Sequence, residues 1–475
     1  MAVQQNKLLI ALQALKKTEH SKFGRFLRSP YYNRSTQMQQ LHDSVLALIE
    51  KDVPFDKDKI WKKIFNKEKY DDTRFRKLTS DLLQLLEQFL ALQKYEENPI
   101  NQAVHLMEAV NERKLQKLSN STISEARRQS EVNNSRNANF YYLQYMIENK
   151  YYLLSNYENK RASRNNIEEI AVNLDIFYLS EKLRLYCIIL SQKNVIAFDY
   201  HLLLVDEIIE LMKKNTIDIM QYPPIAIYYQ IFLLSTEDSN EEHYFKFKKL
   251  LIEFGDYFSE SEANGIYTFA INYCIRKSNL NVPGFTKELH EINITMLEKG
   301  LLYSEEGELT PFRFGNIVIN ALRLGELNWV ENFIKKYKNK VPVEQRDNVV
   351  SFNSASLYFY QKKYDRVIRT LAMVEYEDIL MNLVAKSMLL ATYYEIDETE
   401  PLYSLLESFR TFINRHKSIP TQRRQSYLNL IKYTKKLLKI LPRQKKELTK
   451  IKEEVSKTNL LASKTWLLEK IAELE

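Results

Sequence analysis

The stretch Ala355-Ser356-Leu357-Tyr358-Phe359-Tyr360-Gln361-Lys362-Lys363-Tyr364-Asp365-Arg366-Val367-Ile368-Arg369-Thr370-Leu371-Ala372-Met373-Val374 decides the fold class. A small residue, Ala355, is followed by the aromatic Tyr358 on the same helical face. A turn falls near Tyr364-Asp365. Val367, Leu371 and Val374 then return at helical spacing. The pattern predicts two antiparallel helices joined by a short turn.

Two weaker copies flank it. The earlier one runs through Val318, Ala321, Gly325, Val330, Ile334 and Tyr337, with Gly325 in the turn. The later one has Tyr393 near the end of its first helix, Asp397 to Glu400 as turn, and Leu402, Leu406 and Phe409 on its second helix. The copies lie 35 to 37 residues apart. A helix pair repeated at such a period is the sequence sign of a stacked repeat architecture.

Composition extends this reading to the whole chain. Of 475 residues only 8 are glycine and 11 proline. Average usage would give roughly 33 glycines. Hairpins and bulges need glycine, so a sheet-rich fold is excluded. The expectation is an all-α protein, an α-solenoid of stacked antiparallel helix pairs. Candidate caps mark several starts: Ser35 before a helix to Lys51, Asp56 before one to Phe65, and Asp71 or Asp72 before a long one to about Tyr95. Ser21 is expected to cap a short helix that Ser29-Pro30 stops. About nine more helices are expected between 101 and 300, with polar breaks that include Ser235 to Asn240. The organisation expected is an N-terminal helical region at 1–100, a helical-pair array at 101–310, repeats at 311–418 and basic helices capping the solenoid at 419–475.

The three copies resemble the tetratricopeptide repeat, clearest at 311–413. In that family a small residue lets two helices approach and an aromatic wedges between them. The resemblance implies a groove lined by the first helix of each pair. Carried over by register, it places Leu322, Arg323, Phe352, Ser356, Phe359, Tyr360 and Tyr394 on a protein-binding surface. Aromatics with an arginine are common interface anchors. For Phe352 and Phe359 a second reading, packing against the neighbouring repeat, is equally open.

Catalytic and cofactor motifs fare poorly. No two glycines lie closer than seven residues. This excludes the dinucleotide fingerprint, the P-loop and the nucleophile elbow, whose tight backbone turns need closely spaced glycines. No two of the seven histidines are three or four residues apart, so no zinc-binding helix is visible. Cys187 and Cys274 sit in apolar surroundings and read as small buried residues. The expectation is a non-enzymatic scaffold with no cofactor, no metal and no small-molecule substrate. With two distant cysteines, no cleavable leader and no membrane span, a cytoplasmic location is expected.

Charge is unevenly spread. The net charge is +8, yet Arg410 to Lys457 holds 15 basic and 3 acidic residues, a net of +12, leaving −4 for the rest. On a helix expected from Thr421 to Leu441, Lys432, Lys435, Lys436 and Lys439 share one face, and Arg443, Lys445 and Lys446 follow. Tyr427, Ile431, Thr434, Leu438 and Leu441 would be buried opposite. These seven cations are candidate contacts for nucleic-acid phosphates or an acidic protein. A solvated face in a lysine-rich chain is the plainer alternative. A fainter similarity to winged-helix DNA readers runs from Ile60-Trp61 to Leu86 and would put Arg74, Arg76 and Lys77 at the start of a reading helix. Asp81 and Glu87 further along it, and the lack of a β-wing after Tyr95, count against it.

Overall fold

The structure is a computed structural model that describes residues 6–51, 53–66, 68–132, 134–154, 166–193, 200, 202–214, 218–280, 282–304, 306–374, 379–440 and 444–475. Among these residues there is no strand; the sole β pairing is an isolated bridge between Tyr303 and Leu309. The all-α expectation holds. The chain divides into two compact units, Met1–Ser235 and Thr236–Glu475. The division falls at the polar break after Ser235, inside the segment expected as one array.

The first unit begins with α1 (Lys7–Gln13), α2 (Lys17–Arg28), α3 (Thr36–Glu50), α4 (Lys57–Phe65) and α5 (Asp72–Glu96). Their starts are chemically marked. The Ser35 hydroxyl accepts from the Met38 amide at 3.4 Å, Asp56 from the Asp58 and Lys59 amides at 3.1 Å, and Asp71 from the Arg74 amide at 3.0 Å. Ser21 caps nothing: α2 starts four residues earlier, where the Glu19 carboxylate accepts the Lys16 amide at 2.7 Å. Phe23, Leu41, Trp61, Phe75, Leu82 and Leu86 close around one core. Next come α6 (Pro99–Glu112), α7 (Gln116–Val132), α8 (Ala138–Leu154), α9 (Ile167–Lys193), α10 (Val205–Lys214) and α11 (Pro223–Thr236), which crosses the unit boundary by one residue. Met107, Ala126 and Ile147 form a second core among α6, α7 and α8.

The second unit continues with α12 (Glu242–Phe254), α13 (Glu260–Asn279) and α14 (Phe285–Glu298). Then come the three expected pairs: α15 (Pro311–Arg323) with α16 (Leu327–Tyr337), α17 (Val343–Tyr360) with α18 (Tyr364–Leu371), and α19 (Ile379–Glu395) with α20 (Thr399–Arg415). The three pairs are built on one turn. Gly325, Lys362 and Asp397 adopt left-handed φ values of 78°, 57° and 57°. The amide of the next residue reaches back five positions in each case: Glu326 to the Ala321 carbonyl at 3.1 Å, Lys363 to Tyr358 at 2.9 Å and Glu398 to Tyr393 at 3.0 Å. Each is a Schellman closure that satisfies carbonyls left open by the first helix. The three turns fall 37 and 35 residues apart.

Side chains repeat with the turns. Val318, Ala355 and Leu390 occupy the same step of the first helix; Val330, Val367 and Leu402 the same step of the second; all six are buried. The close-contact position is therefore small only in the middle copy. Each first helix packs on the next first helix, α15 on α17 and α17 on α19, and each second helix packs on the element that follows. This is solenoid-like stacking of a generic helical-repeat kind.

The chain closes with α21 (Thr421–Leu437), α22 (Lys445–Lys457) and α23 (Lys464–Leu474). α21 ends four residues before the expected Leu441. Lys439 thus sits in the turn beyond it, while Lys445 and Lys446 open α22. Arg443 and Leu441 lie outside the described residues.

Candidate partner groove and basic helices

The first helices α17 and α19 carry most of the residues assigned to a partner surface. Arg323 at the end of α15 and Tyr360 at the end of α17 are exposed as expected. Leu322 and Ser356 are corrections. Leu322 lies one step beyond Ala321 and four beyond Val318, so it joins the buried stripe of α15. Ser356 is buried and its hydroxyl donates to the Phe352 carbonyl at 3.1 Å. Phe352 and Phe359 are half-buried and pack on the core of Ala355, Val367 and Leu371, the second of their two readings.

Tyr394 leads to a feature that the sequence did not disclose. Its ring meets Trp466 of α23 edge-on, with centroids 5.4 Å apart. The neighbouring residue, Glu395, accepts from the Trp466 indole at 2.8 Å and pairs with Lys470 at 2.8 Å. Lys470 is only 6% exposed and pairs with Glu473 at 2.7 Å as well. Burial acts on the Lys470 ammonium most strongly of the single causes and lowers its pKa; Glu395 and Glu473 together outweigh it and leave the pKa above the ordinary lysine value. Burial, with the charge of Glu395 nearby, pushes the pKa of Tyr364 at the start of α18 up to about 12. Glu395 thus ties α23 to the third pair. Lys470 and Glu395 are 75 residues apart, which hid them. The signal was present: Trp466, Leu467, Lys470 and Ile471 form one helical face, and a lysine inside an apolar face requires a carboxylate.

The basic face of α21 is partly neutralised. Lys435 pairs with Glu407 of α20, and Lys436 pairs with Glu454 of α22 at 2.5 Å. Both lysines are half-buried, and their pairing holds the Glu407 and Glu454 carboxyls below the usual range. Lys432, Lys439, Lys445 and Lys446 are exposed. Ile431 and Thr434 are buried as expected, whereas Tyr427 and Leu438 are half-buried. In the first unit Arg74 stacks on Phe65 at 4.1 Å and pairs with Glu68 at 2.6 Å, and Arg76 pairs with Asp72 at 2.7 Å. Two of the three cations offered for a DNA reader are therefore occupied within their own element and turn.

Both cysteines are buried, and several charged groups are paired. Among the described residues no three His, Cys, Asp or Glu side chains form a metal-holding group, and no helix is long and apolar enough to cross a membrane. Burial pushes the Cys274 thiol up to about 12 and raises that of Cys187 also, which suppresses the thiolate. A cleft between α12, α13 and α14 contains Lys248, held by Glu288 at 2.6 Å and Glu291 at 2.7 Å, while Tyr244 donates to Glu288 at 2.9 Å. No family model matches the chain, and no curated protein and no solved structure matches it.

Proposed function

We propose that this protein is a non-enzymatic scaffold or adaptor that binds a protein partner on its helical-repeat surface, and that residues 311–415 are a divergent tetratricopeptide-like array. The supporting observation is the recurrence of one Schellman-closed turn at Gly325, Lys362 and Asp397 under a stack of first helices. Stacked pairs present a continuous surface that no single pair could make, and such surfaces take peptides and helices. Arg323 and Tyr360 are its exposed anchors.

The experiment is purification of the tagged protein in mild salt, with co-eluting protein and nucleic acid both identified. The expected result is a protein partner whose retention is lost with Arg323→Glu and Tyr360→Ala. The competing reading, phosphate binding by the exposed Lys432, Lys439, Lys445 and Lys446, predicts something different. Nucleic acid would co-elute, and log K against log salt would fall with a slope of about −3 to −4 for four contacts. Changing those four lysines to Gln would then abolish binding. That outcome would replace the scaffold reading.

A further inference from the structure

The outer face of α2 carries one sign of charge. Lys17, Lys22, Arg25 and Arg28 are exposed and fall within an arc of about 140° around the helix axis. Only Thr18 and Ser21 share that arc. The one carboxylate of the helix, Glu19, lies off it and accepts the Lys16 amide at the helix start. Arg34, beyond the turn that follows, is exposed as well. Among the described residues the side chains of Arg25, Arg28 and Arg34 make no ion pair and no hydrogen bond, whereas Arg74, Arg76, Arg127 and Arg128 of the same unit each hold a carboxylate. The Glu97 carboxylate near Lys22 is already held by Lys94 at 2.8 Å. Like charges three positions apart repel, and α2 keeps them with nothing on that face to offset them.

The turn after α2 sets an aromatic ring beside this face. Tyr31 is 87% exposed, more than any other large apolar side chain among the described residues. It stands three residues after Arg28 and three before Arg34. The backbone beneath it is pinned. The Tyr32 and Asn33 amides both donate to the Ser29 carbonyl, at 3.1 and 3.0 Å. The buried Asn33 side chain donates to the Leu27 and Ser35 carbonyls and accepts from the Ser35 amide at 2.9 Å. Tyr32 stacks on the core ring of Phe26 with centroids 4.1 Å apart, and Tyr31 meets Tyr32 edge-on at 5.0 Å. A fixed turn thus holds Tyr31 out with most of its ring surface in water. Such a ring loses little freedom when it binds.

We infer that this face binds single-stranded nucleic acid, with Arg25, Arg28 and Arg34 on phosphates and Tyr31 stacked on an unpaired base. The arginine fork matches phosphate oxygens, and a positive face gathers a polyanion. The aromatic ring decides which polyanion. A base has a flat face to lay on an exposed tyrosine, and an acidic side chain has none. A duplex keeps its bases stacked on one another, beyond the reach of a ring that stands in solvent. The site lies in the first unit and uses no residue of the repeat surface or of α21 and α22.

The test uses the full chain and fluorescein-labelled oligomers of about 20 nucleotides, longer than one such site, in random sequence. They are offered as single strand and as duplex, with polyglutamate of similar length as the acidic-peptide probe. The single strand should bind more tightly than the duplex. The variant with Arg25→Gln, Arg28→Gln and Arg34→Gln should bind more weakly, and its slope of log K against log salt should be shallower by about 2, for three contacts on a single strand. Tyr31→Ala should weaken single-strand binding by about 5- to 150-fold, the range for one lost stacked base, and leave the slope unchanged. Tyr31→Phe keeps the ring and should bind as the parent does. All four side chains are exposed, so circular dichroism and thermal midpoints should match the parent. Polyglutamate binding that the arginine variant loses and Tyr31→Ala keeps would assign the face to an acidic protein segment and overturn the inference. Duplex binding as tight as single-strand binding would overturn it too. So would single-strand binding that survives both variants and is lost when Lys432, Lys439, Lys445 and Lys446 become Gln. Failure of every probe to bind at low salt, where attraction to phosphate is greatest, would leave a solvated face in its place.

Discussion

The bundle α1 to α5 and the three pairs α15 to α20 are both all-helical, and they bury their helices in different ways. In the bundle, helices of 7, 12, 15, 9 and 25 residues converge on one centre. Trp61 is buried against Phe65, Tyr70 and Phe75, and its indole donates to the Glu68 carbonyl at 3.0 Å. The three pairs do not share one centre. The middle pair closes on a small core of Ala355, Val367 and Leu371 with Ala385 of α19, while the third pair joins α21 to α23 around Leu390, Leu402, Phe409, Leu430 and Ile471. A convergent bundle spends its apolar surface on itself. A stack leaves a repeated face open along its length, which is why the candidate partner surface falls there.

The difference can be pressed by mutation, and the largest effect is expected in the bundle. Trp61→Ala would open a cavity in the shared core and orphan the Glu68 carbonyl, at a cost of about 3–5 kcal/mol. Denaturant unfolding followed over α1 to α5 by amide exchange should show the whole bundle lose protection together. Loss confined to α4 would mean that the bundle is not one cooperative core.

A smaller and more local loss is expected in the stack. Ala355→Leu would overpack the junction of α17 and α18, costing roughly 1–3 kcal/mol. Protection should fall in that pair first. The equivalent positions already hold Val318 and Leu390, so the middle pair must approach more closely than its neighbours for this to be so. A variant as stable as the parent would show that the three junctions have the same spacing.

The shared turn provides a test with the opposite sign. Lys362 and Asp397 hold the conformation that Gly325 adopts without a Cβ penalty. Lys362→Gly should raise stability, by up to about 1 kcal/mol once the added freedom of the unfolded chain offsets part of the relief. Gly325→Ala should lower it by a similar amount. Thermal midpoints of the two variants moving in the same direction would separate the turns from one another.

The bundle also has a pH dependence with a worked sign. His42 is buried beside the Phe23 ring, with Asp43 at 3.1 Å and the charges of His20 and Arg28 nearby. Burial lowers its pKa below 6.5, ahead of the opposing hydrogen bond that the ring donates to Asp43. The unfolded chain therefore takes up the proton first. Stability from this site is complete above the ordinary histidine value and is lost as the pH falls through it toward the lower folded value. His42→Leu should flatten the acid limb of stability against pH; an unchanged limb would assign it to His20 or to carboxylates.

Much of this was legible along the chain because it depends on neighbours in sequence. The scarcity of glycine, the 3.6-residue stripes and the caps at Ser35, Asp56 and Asp71 act within a turn or two, and they set the helices. The turns at Gly325, Lys362 and Asp397 are local as well, so the pairs and their period could be read. The face that each helix buries was less secure. Leu322 and Ser356 were assigned outward by a register borrowed from a family, while the extent of the buried stripe on each helix depends on what lies beside it. The pairing of Lys435 with Glu407, of Lys436 with Glu454 and of Lys470 with Glu395 spans 28, 18 and 75 residues. Sequence by itself determined that the chain is helical and where its helix pairs turn, because backbone hydrogen bonding and capping are short-range. Only the tertiary structure decided which lysines are paired, which aromatics are covered and that the last helix packs against α19 as well as α21 and α22, because charge pairing and burial are settled by residues that the chain brings together from far apart.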